Sequence, residues 1–135
     1  MALFLVRLLF VVAGLYDFLI GLAFLGFGRQ IFDAAGVEHP NHWGYLQFGA
    51  LLLVIFGLMF FAVVYDPVAN RNLVPYGMLL KLCYTGLVTY YWVTTDCPML
   101  FKPFAVIDAV MLVLFFLAYA QLAAPRRDAP TLTGP

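Results

Sequence analysis

The chain has 135 residues, of which 65% are hydrophobic and 10% charged, and its mean hydropathy is +0.98. Aqueous domains carry about 25% charged residues, and a soluble core of this size could not bury so much apolar surface. The seven basic and seven acidic residues cancel, which argues against nucleic acid as a partner and leaves the lipid bilayer as the solvent.

Four apolar stretches, residues 3–27, 45–65, 73–92 and 104–122, reach the roughly 20 residues that a helix needs to cross about 30 Å of hydrocarbon. They predict an all-α, transmembrane four-helix bundle over residues 1–122. Arg7 followed by an apolar run resembles a signal peptide, but the run is too long, Asp17 interrupts it and no A-x-A site follows Phe27. The first stretch therefore reads as an uncleaved helix. Gly36 with Pro40, Asp66 with Pro67, and Pro98 with Pro103 break the chain between stretches. Pro75 suits the first turn of the third helix, where its missing amide hydrogen is no loss. The tail, residues 123–135, has no apolar period and reads as a disordered extension.

Four spans put both termini on one side. Arg7, Arg71, Arg126 and Arg127 lie on that side and Arg29 and Lys102 on the other, so the positive-inside rule places the termini in the cytoplasm, with the inner (plasma) membrane as the expected location. Trp43, Tyr45, Tyr90, Tyr91 and Trp92 then gather at the outer interface, where amphipathic rings prefer to sit.

Charges within spanning helices cost a few kcal/mol each on insertion scales, about 3 for a lysine or aspartate at the centre. Asp17 lies roughly 15 Å from the outer end of its stretch at 1.5 Å per residue, and Lys81 at a similar depth. Opposite charges sharing a level in a low-dielectric interior are expected to pair. Gly14, Gly21 and Gly28 recur at intervals of seven around Asp17, the small-residue spacing of close helix contact. Arg7 extends that stripe. Gly77, Lys81, Tyr84, Thr85 and Val88 form an equivalent face on the third helix, as do Gln47, Ala50, Val54 and Gly57 on the second.

Asp108 falls only about 6 Å from the outer end of its stretch and reads as a solvated residue of the first helical turns. With Gln47, Thr85 and Thr89 it is expected to frame the mouth of any small-molecule site, which would occupy the outer half of the bundle above Asp17. Glu38, His39 and His42 have metal-ligand side chains, but Pro40 disrupts their spacing and nothing completes a set, so no metal and no cofactor is assigned. Neither cysteine belongs to a C-x-x-C pair, and Cys83 reads as an inert buried thiol. No catalytic residue emerges, and the Asp17 and Lys81 pair has two readings, a structural clasp or part of a proton or ligand path.

Tyr16-Asp17 with Gly21, Pro40-Asn41-His42 with Gly44-Tyr45, Asp66-Pro67 with Ala69-Asn70-Arg71-Asn72, Leu80-Lys81 with Tyr84, and Lys102-Pro103-Phe104 with Asp108 resemble the corresponding runs of small uncharacterised bacterial four-helix membrane proteins. In overall plan the chain is also loosely similar to DoxX-like proteins, which include quinone-linked oxidoreductase subunits. That resemblance implies a hydrophobic redox partner.

Three function classes follow. The first is an accessory or binding subunit that packs against other membrane proteins or itself and holds a quinone or lipid ligand. The second is a proton-coupled transporter subunit using Asp17 and Lys81, which would need an oligomer because four helices without broken segments are few for alternating access. The third is a quinone- or lipid-linked membrane enzyme subunit, which needs an acid and a base converging on one cavity.

Overall fold

A computed structural model describes residues 1–124. The proposed disordered tail lies outside the described residues apart from its first two positions, as do Arg126 and Arg127. Helix α1 spans Leu3–Ala35, α2 Trp43–Tyr65, α3 Val74–Thr94 and α4 Lys102–Ala123, with a short 3-10 turn at Arg71–Leu73 leading into α3. The protein is an all-α helical bundle.

Helix α1 continues well past the end of its apolar stretch. Arg29, Gln30 and Asp33 end the hydrophobic run but not the helix, because hydropathy marks where lipid stops and not where backbone hydrogen bonding stops. Phe27, between Gly26 and Gly28, leaves helical geometry (φ −129°, ψ 20°) and kinks α1. Glycine-flanked positions are where helices bend. The true end is Gly36, whose φ of 65° is left-handed. Gly36 N–H donates to Asp33 O at 3.2 Å and Val37 N–H to Phe32 O at 2.9 Å, the paired bonds of a Schellman ending.

His42 starts α2 by accepting the Gly44 N–H on Nδ1 at 3.0 Å. At the other end, Asn70 Nδ2 donates to Ala62 O at 2.9 Å and Asp66 Oδ1 accepts the Ala69 N–H at 3.0 Å, so the Asp66-Pro67 break is a built turn. Pro75 and Pro103 each sit in the first turn of their helix.

The helices pair as two antiparallel hairpins, α1 with α2 and α3 with α4. Glycines let α1 and α2 touch backbone to backbone. A methyl group on Gly57 would lie 2.8 Å from Phe18 N and 2.9 Å from Gly14 O, and one on Gly21 would lie 2.6 Å from Ala50 O. Gly57→Ala and Gly21→Ala should each cost about 1–3 kcal/mol, since backbone cannot step aside. Gly86, with open space around it, should accept alanine with no loss and up to about 1 kcal/mol gained from helix propensity. Unfolding in detergent micelles would rank the three, and equal effects would show that the α1–α2 contact is not this close.

The hairpins meet through a core of Val6, Phe10, Phe60, Val63, Met111 and Phe115 with smaller neighbours. It fills the half of the bundle nearest the N-terminus. The Phe10 and Phe115 rings stack at 4.7 Å and Phe60 meets Phe115 edge-on at 5.1 Å. Met1 N donates to Gln121 Oε1 at 3.0 Å, tying α1 to the end of α4. In the half that carries the hairpin loops, a smaller cluster of Val88, Cys97 and Ala105 joins only α3, α4 and their loop.

The outer surface is apolar. Leu5, Leu8, Val12, Leu15, Leu19 and Leu22 form an exposed stripe on α1, and Phe48, Leu51, Ile55 and Leu58 one on α2. Helices α1, α2 and α4 are long and apolar enough to cross a membrane. Helix α3 has the length but is less apolar, because Lys81, several threonines and five aromatic residues dilute it.

Two expectations about the faces need correction. Arg7 is exposed while Val6 and Phe10 are buried: a 3.6-residue helix drifts against a seven-residue repeat, and near its end a charged side chain turns to water at little cost. Cys83 is exposed on α3, and Cys97 is the buried thiol.

Candidate functional site: a charged cluster beneath an apolar cavity

Lys81 is fully buried, and its Nζ donates to Asp17 Oδ1 at 2.6 Å. The same Nζ lies 3.0 Å from Asp108 Oδ1. Aromatic faces complete its surroundings, with Nζ 5.1 Å from the Tyr16 ring centre and 5.9 Å from that of Phe60, both within cation–π reach. One ammonium thus ties α3 to α1 and α4, and the contact to Asp17 spans the two hairpins.

Asp108 does not sit apart in an outer turn. Thr85 Oγ1 donates to Ala105 O at 3.3 Å and Tyr84 OH to Phe101 O at 3.2 Å. These bonds set the α3–α4 register so that Asp108 falls level with Lys81. Counting depth from the ends of apolar stretches assumes that the helices start level. Here α3 overshoots the start of α4, and the depth separating Asp108 from Asp17 disappears.

Above the cluster, on the side away from the phenylalanine core, lies a cavity of about 320 Å³, within the ordinary range of ligand pockets. Tyr16, Asp17 and Asp108 form its floor, and Phe24, Leu53 and Phe104 are among its walls. On the α1–α4 side, Tyr16 meets Phe104 edge-on at 6.2 Å and Phe32 meets Phe101 at 6.3 Å. Backbone contact is sparse on both seams between the hairpins, α1–α4 and α2–α3, and on α2 the lining includes exposed Tyr45 and Gly49. The cavity is partly open to the surface, with these two exposed residues on its rim.

Lys81 is not part of the lining. Asp17 and Asp108 face the cavity while the ammonium sits behind them. Asp17 Oδ2 and the Tyr16 hydroxyl are buried without a hydrogen-bond partner, and so is Asp108 Oδ1, whose approach to Lys81 lacks hydrogen-bond alignment. Most buried polar atoms are paired, so three unpaired ones at one cavity floor are a concentration of unmet hydrogen-bonding capacity.

Of the four residues expected at the mouth, only Asp108 lines the cavity. Gln47 and Thr89 are exposed, and the Thr85 hydroxyl is spent on Ala105 O. The inward face of α2 runs through Leu46, Ala50, Leu53 and Gly57, and Gln47 is turned about 100° from Leu46. Tyr84 was expected on the inward face of α3 but not at a cavity, and Tyr16 and the ring wall were not expected there, although Phe101, Phe104 and Asp108 share one helical face by their spacing of three and four. The loop residues have local tasks: His39 pairs with Asp33 and packs edge-on to Trp43 at 5.0 Å, Arg29 lies 4.8 Å over Trp43 and Lys102 lies 5.0 Å over Trp92.

No protein-family model matches the chain, and no curated protein and no solved structure shows significant similarity to it.

Proposed function

We propose that the protein is a multi-pass membrane protein whose four helices all cross the bilayer and whose role is to bind an apolar ligand with one polar head, as an accessory or binding subunit. The observation that carries this reading is the cavity, with apolar walls and a polar floor, and its opening beside exposed Gly49 is assigned to the lipid side. A ligand partitioned into the bilayer enters such a site tail and head together, without crossing water. Lipids and quinones both have this build.

The crossing of α3 rests on its faces. Its charge points inward, whereas Tyr76, Leu79, Leu82, Leu87 and Tyr90 form an exposed face without any ionised group. The transporter reading has less support, since the phenylalanine core closes the bundle beneath the charged cluster and supplies no polar continuation. The enzyme reading has two carboxyl groups at one cavity in its favour, but both already share Lys81.

Photoactive lipid and quinone analogues, crosslinked in bilayers and mapped by mass spectrometry, should label Phe24, Leu53 or Phe104. Labelling confined to lipid-facing Phe48 and Phe116 would reject the site. In the bacterial inner membrane both termini are assigned to the cytoplasm. Cys97 is too buried to report on this, so the test uses exposed Asn41 and Asp66, at opposite ends of α2, in a cysteine-free background. Asn41→Cys should react with an impermeant maleimide from outside and Asp66→Cys should not, and the reverse pattern would invert the topology.

A further inference from the structure

Resting on the cavity reading above, we propose that the ligand's head is a positively charged hydrogen-bond donor, a primary or secondary ammonium on an apolar body, and not an anionic head or a quinone carbonyl. The floor is asymmetric. Asp17 is 1% and Asp108 6% exposed, both line the cavity, and the one ammonium of the cluster is held behind them by the 2.6 Å bond to Asp17 Oδ1. A head group descending the cavity meets carboxylate oxygens and a phenol, not Lys81.

With both carboxyl groups ionised, one ammonium leaves the cluster one positive charge short. Asp17 Oδ2 has no partner and Asp108 Oδ1 has only the misaligned contact to Lys81, and an ammonium supplies both the charge and several donors. A phosphate or carboxylate head would bring like charge onto two buried carboxyl groups, and a quinone carbonyl only accepts, so it would leave Asp17 Oδ2 unsatisfied and give Asp108 Oδ1 no aligned donor. Tyr16, with an unpartnered hydroxyl at the same floor, can accept one further N–H. The ring walls suit the methylene body and hold the head in a setting where Coulomb attraction is weakly screened.

The test is a competition in nanodiscs of neutral phospholipid. The full chain is crosslinked with a neutral photoactive lipid analogue, and dodecylamine, lauric acid and a decyl-substituted quinone are each titrated over the same range of mole fraction at neutral pH. Dodecylamine should halve cavity labelling at about a tenfold lower mole fraction than either competitor, the factor that one charge-assisted hydrogen bond supplies. Equal or stronger displacement by lauric acid or the quinone overturns the head-group inference while the cavity reading stands. Absence of cavity labelling overturns both. Asp108→Asn, which keeps the shape and removes a charge, should shrink the preference for dodecylamine. An undiminished preference in that variant would also overturn the inference, and the wild-type order decides by itself if the variant does not fold. Gly49→Phe, placed where a side chain meets open space, should block labelling of the cavity walls by filling the opening beside it.

Discussion

Lys81→Met should destabilise the protein by about 3–5 kcal/mol, the cost of leaving buried charges without their partner. The side chains are similar in length, so the change removes charge with little loss of volume. Asp17 and Asp108 would then face each other across an apolar interior with no cation between them. Because the Lys81–Asp17 contact joins the two hairpins, the loss falls on their association rather than on either hairpin. A charge-neutral double replacement, Asp17→Leu with Lys81→Met, should recover only part of this, since Asp108 stays buried and unpaired at about 1–3 kcal/mol. Adding Asp108→Asn should recover most of the remainder. Denaturation from mixed micelles across the single, double and triple variants would measure the coupling, and strictly additive losses would show that the three groups do not act together.

Why the cluster has three members and not two bears on what a sequence can reveal. Asp17 and Lys81 were legible because each interrupts an apolar run near its middle, and burial in lipid leaves such charges few options besides each other. The buried face of α3, with Gly77, Lys81 and Val88, was legible from helical spacing for the same reason. Asp108 was not, because its place depends on the α3–α4 offset, which is set by side-chain bonds from Tyr84 and Thr85 to carbonyls of the other helix. Nothing in composition or periodicity records an offset between helices.

The cavity illustrates a related limit. Its half of the bundle follows from the distribution of polar side chains, but its lining depends on rotation of each helix by less than one residue's turn. Gln47 and Leu46 are neighbours in sequence, yet only Leu46 lines the cavity. In water, hydrophobicity would have separated them. In a bilayer both faces of a helix are apolar, so hydropathy loses its power to mark the inside, and small residues and charges carry that information. Helix α3 is a mixed case: Lys81, Tyr84 and Thr85 lower its average from the inside, and exposed Tyr76, Thr89, Tyr90, Tyr91 and Trp92 lower it from the outside without adding a charge.

Phe60→Ala should cost about 3 kcal/mol, at the lower end of the range for large aromatic truncations in cores. The lower end is expected because truncated helices in lipid do not expose the lost surface to water, so the penalty is mainly the cavity and its missing contacts. Phe60 is fully buried and meets Phe10 at 5.8 Å and Phe115 at 5.1 Å. Its ring also lies against Gly77, where a methyl group would come within 2.5 Å of Phe60 Cε1. Ring and glycine are therefore a knob and its hole, one on each hairpin. Gly77→Val alone should be destabilising through overpacking, yet combined with Phe60→Ala it should recover part of the loss by refilling the space from the other side. Exposed Phe116→Ala should change stability by no more than about 0.5 kcal/mol. Unfolding of the four variants in one detergent would decide, and losses in the double variant equal to the sum of the singles would mean that Phe60 and Gly77 do not share that space.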